Sequence, residues 1–159
     1  MVRDAVSEHR SEVIEGLIRL EAMVDCLINT HYTHGPSMAF HEQVLAHLSF
    51  STKLAIVERF LGPEDSAMVR MLFRLNTVRN LFAHCGVLRQ DTSSEAPSVV
   101  NPRKPGEKLD FEKLYAEFAA ELPGLETFLI ARACNKGARI FINLGDRWKS
   151  MCDEDEDAA

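Results

Sequence analysis

A run of apolar residues near the N-terminus constrains the fold more than any other feature of this sequence. Val13, Ile14, Leu17, Ile18, Val24, Leu27 and Ile28 recur at a three-and-four spacing. That spacing lines one face of an α-helix and would be scattered over both faces of a strand. It predicts one long amphipathic helix from about Asp4 to His31, closed by Gly35-Pro36. A helix with one apolar face needs further apolar faces to cover it. A second helix is expected from about Ser37 to His47, and a third from about Thr52 to Phe60, with Leu54, Ile56, Val57 and Phe60 apolar. Gly62-Pro63 then reads as a helix stop followed by a helix start, opening a fourth helix from about Glu64 to His84.

Beyond Gly86 the periodicity is lost as far as Leu109, and Pro97, Pro102, Pro105 and Gly106 punctuate a long connection. A short β-hairpin around Val87–Gln90 and Ser98–Asn101 is the expectation within it. Asp110 is placed to cap a helix through Phe111, Leu114, Tyr115 and Phe118. Pro123-Gly124 is expected to interrupt that helix, and a last one to carry Leu125, Phe128, Leu129, Ile140, Phe141 and Trp148. The fold class is therefore all-α, a bundle of five or six helices with a long irregular loop or short hairpin near residues 86–109. One domain is expected over residues 4–150, with a disordered acidic tail over 151–159.

A chain of 159 residues can bury roughly 70 % of its unfolded surface and so build a core unaided. Its 46 % hydrophobic and 26 % charged residues are ordinary for a globular protein and argue against disorder. No window is apolar enough to cross a bilayer, so a soluble cytosolic protein is the simplest expectation. Cys26, Cys85, Cys134 and Cys152 show no C-x-x-C spacing, which disfavours a zinc knuckle and leads to the expectation of reduced thiols. Of the net charge of −6, Asp153, Glu154, Asp155, Glu156 and Asp157 contribute −5, leaving a body near −1. The tail reads as a solvated end, or more sharply as a competitor for a basic site. Gly-rich phosphate loops, nucleophile elbows and dinucleotide fingerprints are absent.

Inside this acidic chain lies a basic window. Between Ser66 and Gln90 there is no acidic residue, while Arg70, Arg74, Arg79 and Arg89 are all present. On a regular helix, at ~100° per residue, Arg70, Arg74, Asn76, Thr77, Asn80 and His84 share a polar face. Met68, Met71, Leu75, Val78 and Phe82 fall opposite, toward the core. Such a strip offers phosphate donors and a proton-transfer group, although a plain solvated face would look the same. Arg79 falls instead among the apolar residues, where an unpaired guanidinium is costly. In the first helix Glu21 sits in the middle of the apolar stripe with Asp25 at its edge. A buried Glu21–Arg79 pair would explain both irregularities.

The order of Ile14-Glu15-Gly16-Leu17-Ile18-Arg19-Leu20-Glu21, then Lys53-Leu54-Ala55-Ile56-Val57-Glu58, then Leu75-Asn76-Thr77-Val78-Arg79-Asn80-Leu81-Phe82-Ala83-His84 resembles the HEPN superfamily. In particular it resembles the branch that includes mannitol operon repressor-like proteins, with their Arg-Asn-x-Phe-Ala-His type helix end. The likeness spans roughly residues 10 to 120 in layout and is sharp only over Arg79–His84. An arginine, four to six residues beginning with a polar one, and a histidine form the superfamily's catalytic signature, and Arg79, Asn80 and His84 match it. The resemblance implies a metal-independent ribonuclease, such as a toxin or defence component, or else a non-catalytic regulatory or interaction module. The residues suit that chemistry: His84 can carry the proton, Arg79 or failing that Arg74 can stabilise charge on phosphorus, Asn80 can orient the imidazole or bind a phosphate oxygen, and Arg70, Arg74 and Arg89 offer phosphate contacts. Implied partners are a second copy of the chain, RNA, and a regulatory or antitoxin protein, with no cofactor, no metal and no membrane. His31, His34, His41 and His47 lie close in sequence but at poor ligand spacing, and Cys85 beside His84 is a weak nucleophile candidate.

Overall fold

The computed structural model describes residues 2–34, 37–84, 98–100, 108–135, 141–143 and 148–150. It is an all-α bundle whose five α-helices are α1 (Val2–Thr33), α2 (Met38–Gln43), α3 (Phe50–Phe60), α4 (Ser66–His84) and α5 (Phe111–Cys134). Single 3-10 turns at Leu45–His47 and Pro63–Asp65 precede α3 and α4. Polar caps fix the starts. Ser37 Oγ accepts from the Phe40 N–H, Ser49 Oγ from the Thr52 N–H and Asp110 Oδ1 from the Lys113 N–H. After Thr33, His34 takes a left-handed φ of 55°, and Asn29 ties the turn by donating to the Ser37 carbonyl and accepting from the Ser37 N–H. Gly35 and Pro36, expected to close α1, lie outside the described residues.

One core joins α1, α3, α4 and α5. Leu17, Leu20, Leu27, Leu54, Leu72, Leu75, Phe82, Phe118, Leu125 and Leu129 are among its largest fully buried side chains. At Gly16 the helices α1 and α5 come close, since a Cβ there would lie 2.9 Å from both Leu122 Cδ2 and Phe118 Cζ. Cross-helix ion pairs show the helix directions. His9 and Arg19 of α1 meet Glu112 and Glu126 of α5, so these two run parallel. Asp65, in the turn before α4, and Arg74 of α4 meet Arg132 and Glu117, so α4 runs antiparallel to α5.

Two expectations about the C-terminal third change. Helix α5 is continuous through Pro123. Proline removes an intrahelical N–H, but Pro123 and Gly124 both face solvent while Leu125, Leu129 and Ala133 bury the same stripe as Phe118, so packing carries the helix past the missing bond. The helix then stops at Cys134, and Phe141–Asn143 pairs antiparallel with Trp148–Ser150 instead of continuing it. In the long connection, Ser98–Val100 pairs antiparallel with Lys108–Asp110, and Val87–Gln90, the other half of the expected hairpin, lies outside the described residues. The cysteine expectation also changes. Cys26 is a free thiol, whereas Cys134 is disulfide-bonded. Pairing depends on tertiary approach of two Cα atoms, which sequence spacing does not report.

Candidate functional site

Three helix segments converge at one end of the bundle. The last turns of α4, from Arg79 to His84, meet the early turns of α1, where Arg10 Nη2 donates to the Ala83 carbonyl at 3.3 Å. The first turns of α5 complete this end through Glu112 and Tyr115. Helix C-terminal carbonyls lack intrahelical partners, and Arg10 supplies a donor to one of them.

Arg79 and Asn80 are half-buried on α4. His84 is the last residue of that helix, its side chain outside the described set, as is Arg89. The expected Glu21–Arg79 pair does not form. Glu21 Oε1 instead accepts from Lys53 Nζ at 2.8 Å, and Lys53 also donates to Asp25 Oδ2 at 2.9 Å. Helix α3 packs on α1 at this level, so its buried Lys53 reaches the acidic residues of the α1 stripe. Arg79 consequently has no carboxylate partner among the described residues.

Burial pushes the Asp25 carboxyl above its usual range, opposed by the Lys53 hydrogen bond and charge. Burial alone would lower the Lys53 pKa, but its hydrogen bonds to Glu21 and Asp25 outweigh it and raise the ammonium above 10.5. His41 Nε2 lies 3.5 Å from Asp25 Oδ2 on the exposed side of the cluster. This cluster joins α1, α2 and α3, away from the α4 motif.

The polar strip divides. Arg70 and Thr77 are exposed, but Asn76 is buried. Arg74 is claimed by α5, lying 3.5 Å from Glu117 and hydrogen-bonded to Glu121. Its charge serves the α4–α5 contact, which the sequence could have suggested only through Glu117 and Glu121 four residues apart on a later helix.

The structure adds a histidine that the sequence reading passed over. His9 stacks on Tyr115 with ring centroids 3.7 Å apart and planes 14° from parallel, and its Nε2 lies 3.4 Å from Glu112 Oε2. Its Nδ1 is buried without a hydrogen-bond partner among the described residues. The Tyr115 hydroxyl donates to Glu12. A carboxylate–imidazole–aromatic group thus stands one residue from Arg10, at the same end of the bundle as the α4 motif.

Among the described residues, no three His, Cys, Asp or Glu side chains gather in a metal-holding arrangement. His31 stacks on Phe60 at 4.0 Å, His41 faces Asp25, and His34 and His47 are exposed, so these four occupy separate surroundings. No helix among the described residues is long and apolar enough to cross a membrane.

No family model, curated protein or solved structure matches this chain. The functional reading therefore rests on the residues themselves.

Proposed function

We propose that this protein is a HEPN-type, metal-independent endoribonuclease of a toxin or defence system, acting through Arg79, Asn80 and His84. The observation that carries the reading is the state of Arg79. Glu21, the acid that would have made it a structural ion-pair residue, is taken by Lys53. Arg79 is left half-buried without a carboxylate among the described residues, one position before Asn80 and five before His84. A guanidinium in that condition is available to an anion.

Cleavage of RNA by its own 2′-hydroxyl needs a base to take that proton and an acid to protonate the leaving 5′-oxygen. His84 has the side chain suited to either transfer near neutral pH. Arg79 stabilises the charge that develops on the phosphoryl oxygens, and Asn80, one turn before His84, orients the imidazole or holds a phosphate oxygen. A two-fold homodimer with the α4 ends facing each other supplies a second His84 and gathers arginines into one groove.

Incubation of the purified protein with total RNA in the presence of EDTA tests this. Wild type should cleave, while His84→Ala and Arg79→Ala should each lose at least about a hundredfold in rate. Wild-type protein inert toward RNA, or a His84→Ala variant as active as wild type, would remove the proposal. For the dimer, mixing the two inactive variants should restore part of the activity, and a strictly monomeric active enzyme would exclude it.

One observation favours the second reading, a non-catalytic regulatory or protein-interaction module like the mannitol repressor branch. Arg74, a candidate phosphate contact, is held by Glu117 and Glu121. Stable binding to a regulatory protein partner without RNA cleavage would decide for it.

A further inference from the structure

The core-facing stripe of α1 runs toward the N-terminus through Leu20, Leu17 and Val13, all buried, and its next position at the three-and-four spacing is Arg10. A position that periodicity assigns to the interior thus holds an exposed guanidinium. The reason is where α4 ends. Arg10 Nη2 donates to the carbonyl of Ala83, the last residue but one of α4, so the stripe reaches Arg10 just as the helix that covers it stops. Ala83 stands one turn after Arg79 on the same face of α4. Two arginines therefore share the α1–α4 seam in the turns that lead to His84.

We infer that Arg10 is a phosphate-binding residue, holding the RNA phosphate next to the one that Arg79 and His84 act on; this rests on the ribonuclease reading above. Among the described residues, the other arginines that bond across elements meet carboxylates: Arg19 with Glu126, Arg74 with Glu117 and Arg132 with Asp65. Their charge is neutralised within the fold. Arg10 meets a neutral carbonyl and, like Arg79, has no carboxylate partner among the described residues. The acids Glu12 and Glu112 at this end lie in the other seam of α1, against α5, with Tyr115 and His9.

Capping a helix-end carbonyl takes one N–H. A guanidinium has five, so Arg10 keeps four for a ligand while the carbonyl holds its fork in place. A fork held near a second guanidinium suits a polyanion whose charges repeat along a strand. A carboxylate of an acidic protein segment presents the same pair of oxygens. His84 in the same turn favours the phosphodiester, since only cleavage of that bond gives its imidazole a proton to move.

Fluorescence anisotropy of the whole protein with a labelled single-stranded RNA, 2′-O-methylated throughout so that it cannot be cleaved, tests the assignment over a salt series. Arg10→Ala should weaken low-salt binding about three- to tenfold and make the slope of log affinity against log salt shallower by about 0.7, the share of one single-strand phosphate contact. Arg10→Lys keeps the charge and should keep the wild-type slope. Arg59→Ala removes an exposed arginine of α3 next to Phe60, which stacks on His31 at the far end of α1, and should leave the slope unchanged. An unchanged slope in Arg10→Ala, whatever its melting temperature, would make Arg10 a helix cap and overturn the assignment. An equal loss in Arg59→Ala would overturn it in favour of net charge, and poly-glutamate bound more tightly than the RNA in favour of an acidic protein segment. Wild type that does not bind the RNA would overturn it outright. Cleavage of unmodified RNA is read separately, where Arg10→Ala should raise KM more than it lowers kcat. Cleavage with an unchanged slope rejects the role of Arg10 and spares the nuclease, whereas a shallower slope without cleavage rejects the nuclease and keeps Arg10 as an RNA contact.

Discussion

Replacing Lys53 by methionine isolates the electrostatic core of the fold, because methionine keeps the apolar stem and removes only the ammonium. In the native protein that ammonium is nearly inaccessible and serves Glu21 and Asp25 together. Breaking a buried pair by removing one partner costs about 3–5 kcal/mol. Glu21 keeps 27 % of its side chain exposed and can turn to water, whereas Asp25 keeps 10 %. The lower end, about 3 kcal/mol, is therefore expected, equivalent to roughly 6–12 °C in melting temperature for a chain of this size.

The pH dependence supplies a second, sharper readout. Asp25 has a raised folded-state pKa, so the fold favours its protonated form, and that advantage is lost as pH rises through the folded pKa. Lys53→Met removes the group that holds this pKa down, raising it further. The destabilisation should shrink as pH falls from 7 toward 4. Lys53 itself is raised above 10.5, so wild type should lose stability as pH climbs past that folded value while the variant does not. Urea unfolding across this range measures both limbs. A loss under about 1 kcal/mol at pH 7, small beside that expected for a broken buried pair, or one of equal size at pH 4.5 and 7, would refute the reasoning.

Asn29→Ala removes both hydrogen bonds that tie α1 to Ser37, and chemical denaturation should show a loss of about 1–3 kcal/mol. Gly124→Ala on the solvent face of α5, where an added Cβ meets nothing within 4 Å, should raise stability by about 0.5–1 kcal/mol; a lower melting temperature would contradict the continuous helix. Leu129→Ala, at a fully buried position, should cost about 2–5 kcal/mol. Arg74→Ala should cost no more than about 1 kcal/mol, because the arginine that pairs with Glu117 and Glu121 is itself half-exposed, and a larger loss would mean that the α4–α5 contact depends on it.

Much of the helical framework was legible because it is written in short-range chemistry. The apolar period over Val13–Ile28, Gly62-Pro63 before α4 and Asp110 before α5 each act within a few residues. The hairpin at Phe141–Ser150 was missed, although Gly145-Asp146 between its strands is a turn signal. Its apolar residues had been absorbed into a helical period. The motif at Arg79–His84 was visible as a pattern, but the partners of its residues were not. His9 carried no local signal at all, since Glu112 and Tyr115, which hold it, lie a hundred residues away.

The sequence by itself determined that the chain makes amphipathic helices, where several of them start, and that a basic window from Ser66 to Gln90 holds the Arg79–His84 motif. Tertiary structure decided which charge meets which. Periodicity records the face on which a side chain emerges, but not the helix opposite that face. Glu21 therefore met Lys53 and left Arg79 without it, Arg74 was drawn to α5, and Cys134 found a cysteine that spacing gave no reason to expect. Pro123 is the same lesson in the backbone. A local helix breaker yields where buried neighbours on both sides keep the helix going, because core packing outweighs one absent hydrogen bond on a solvent face.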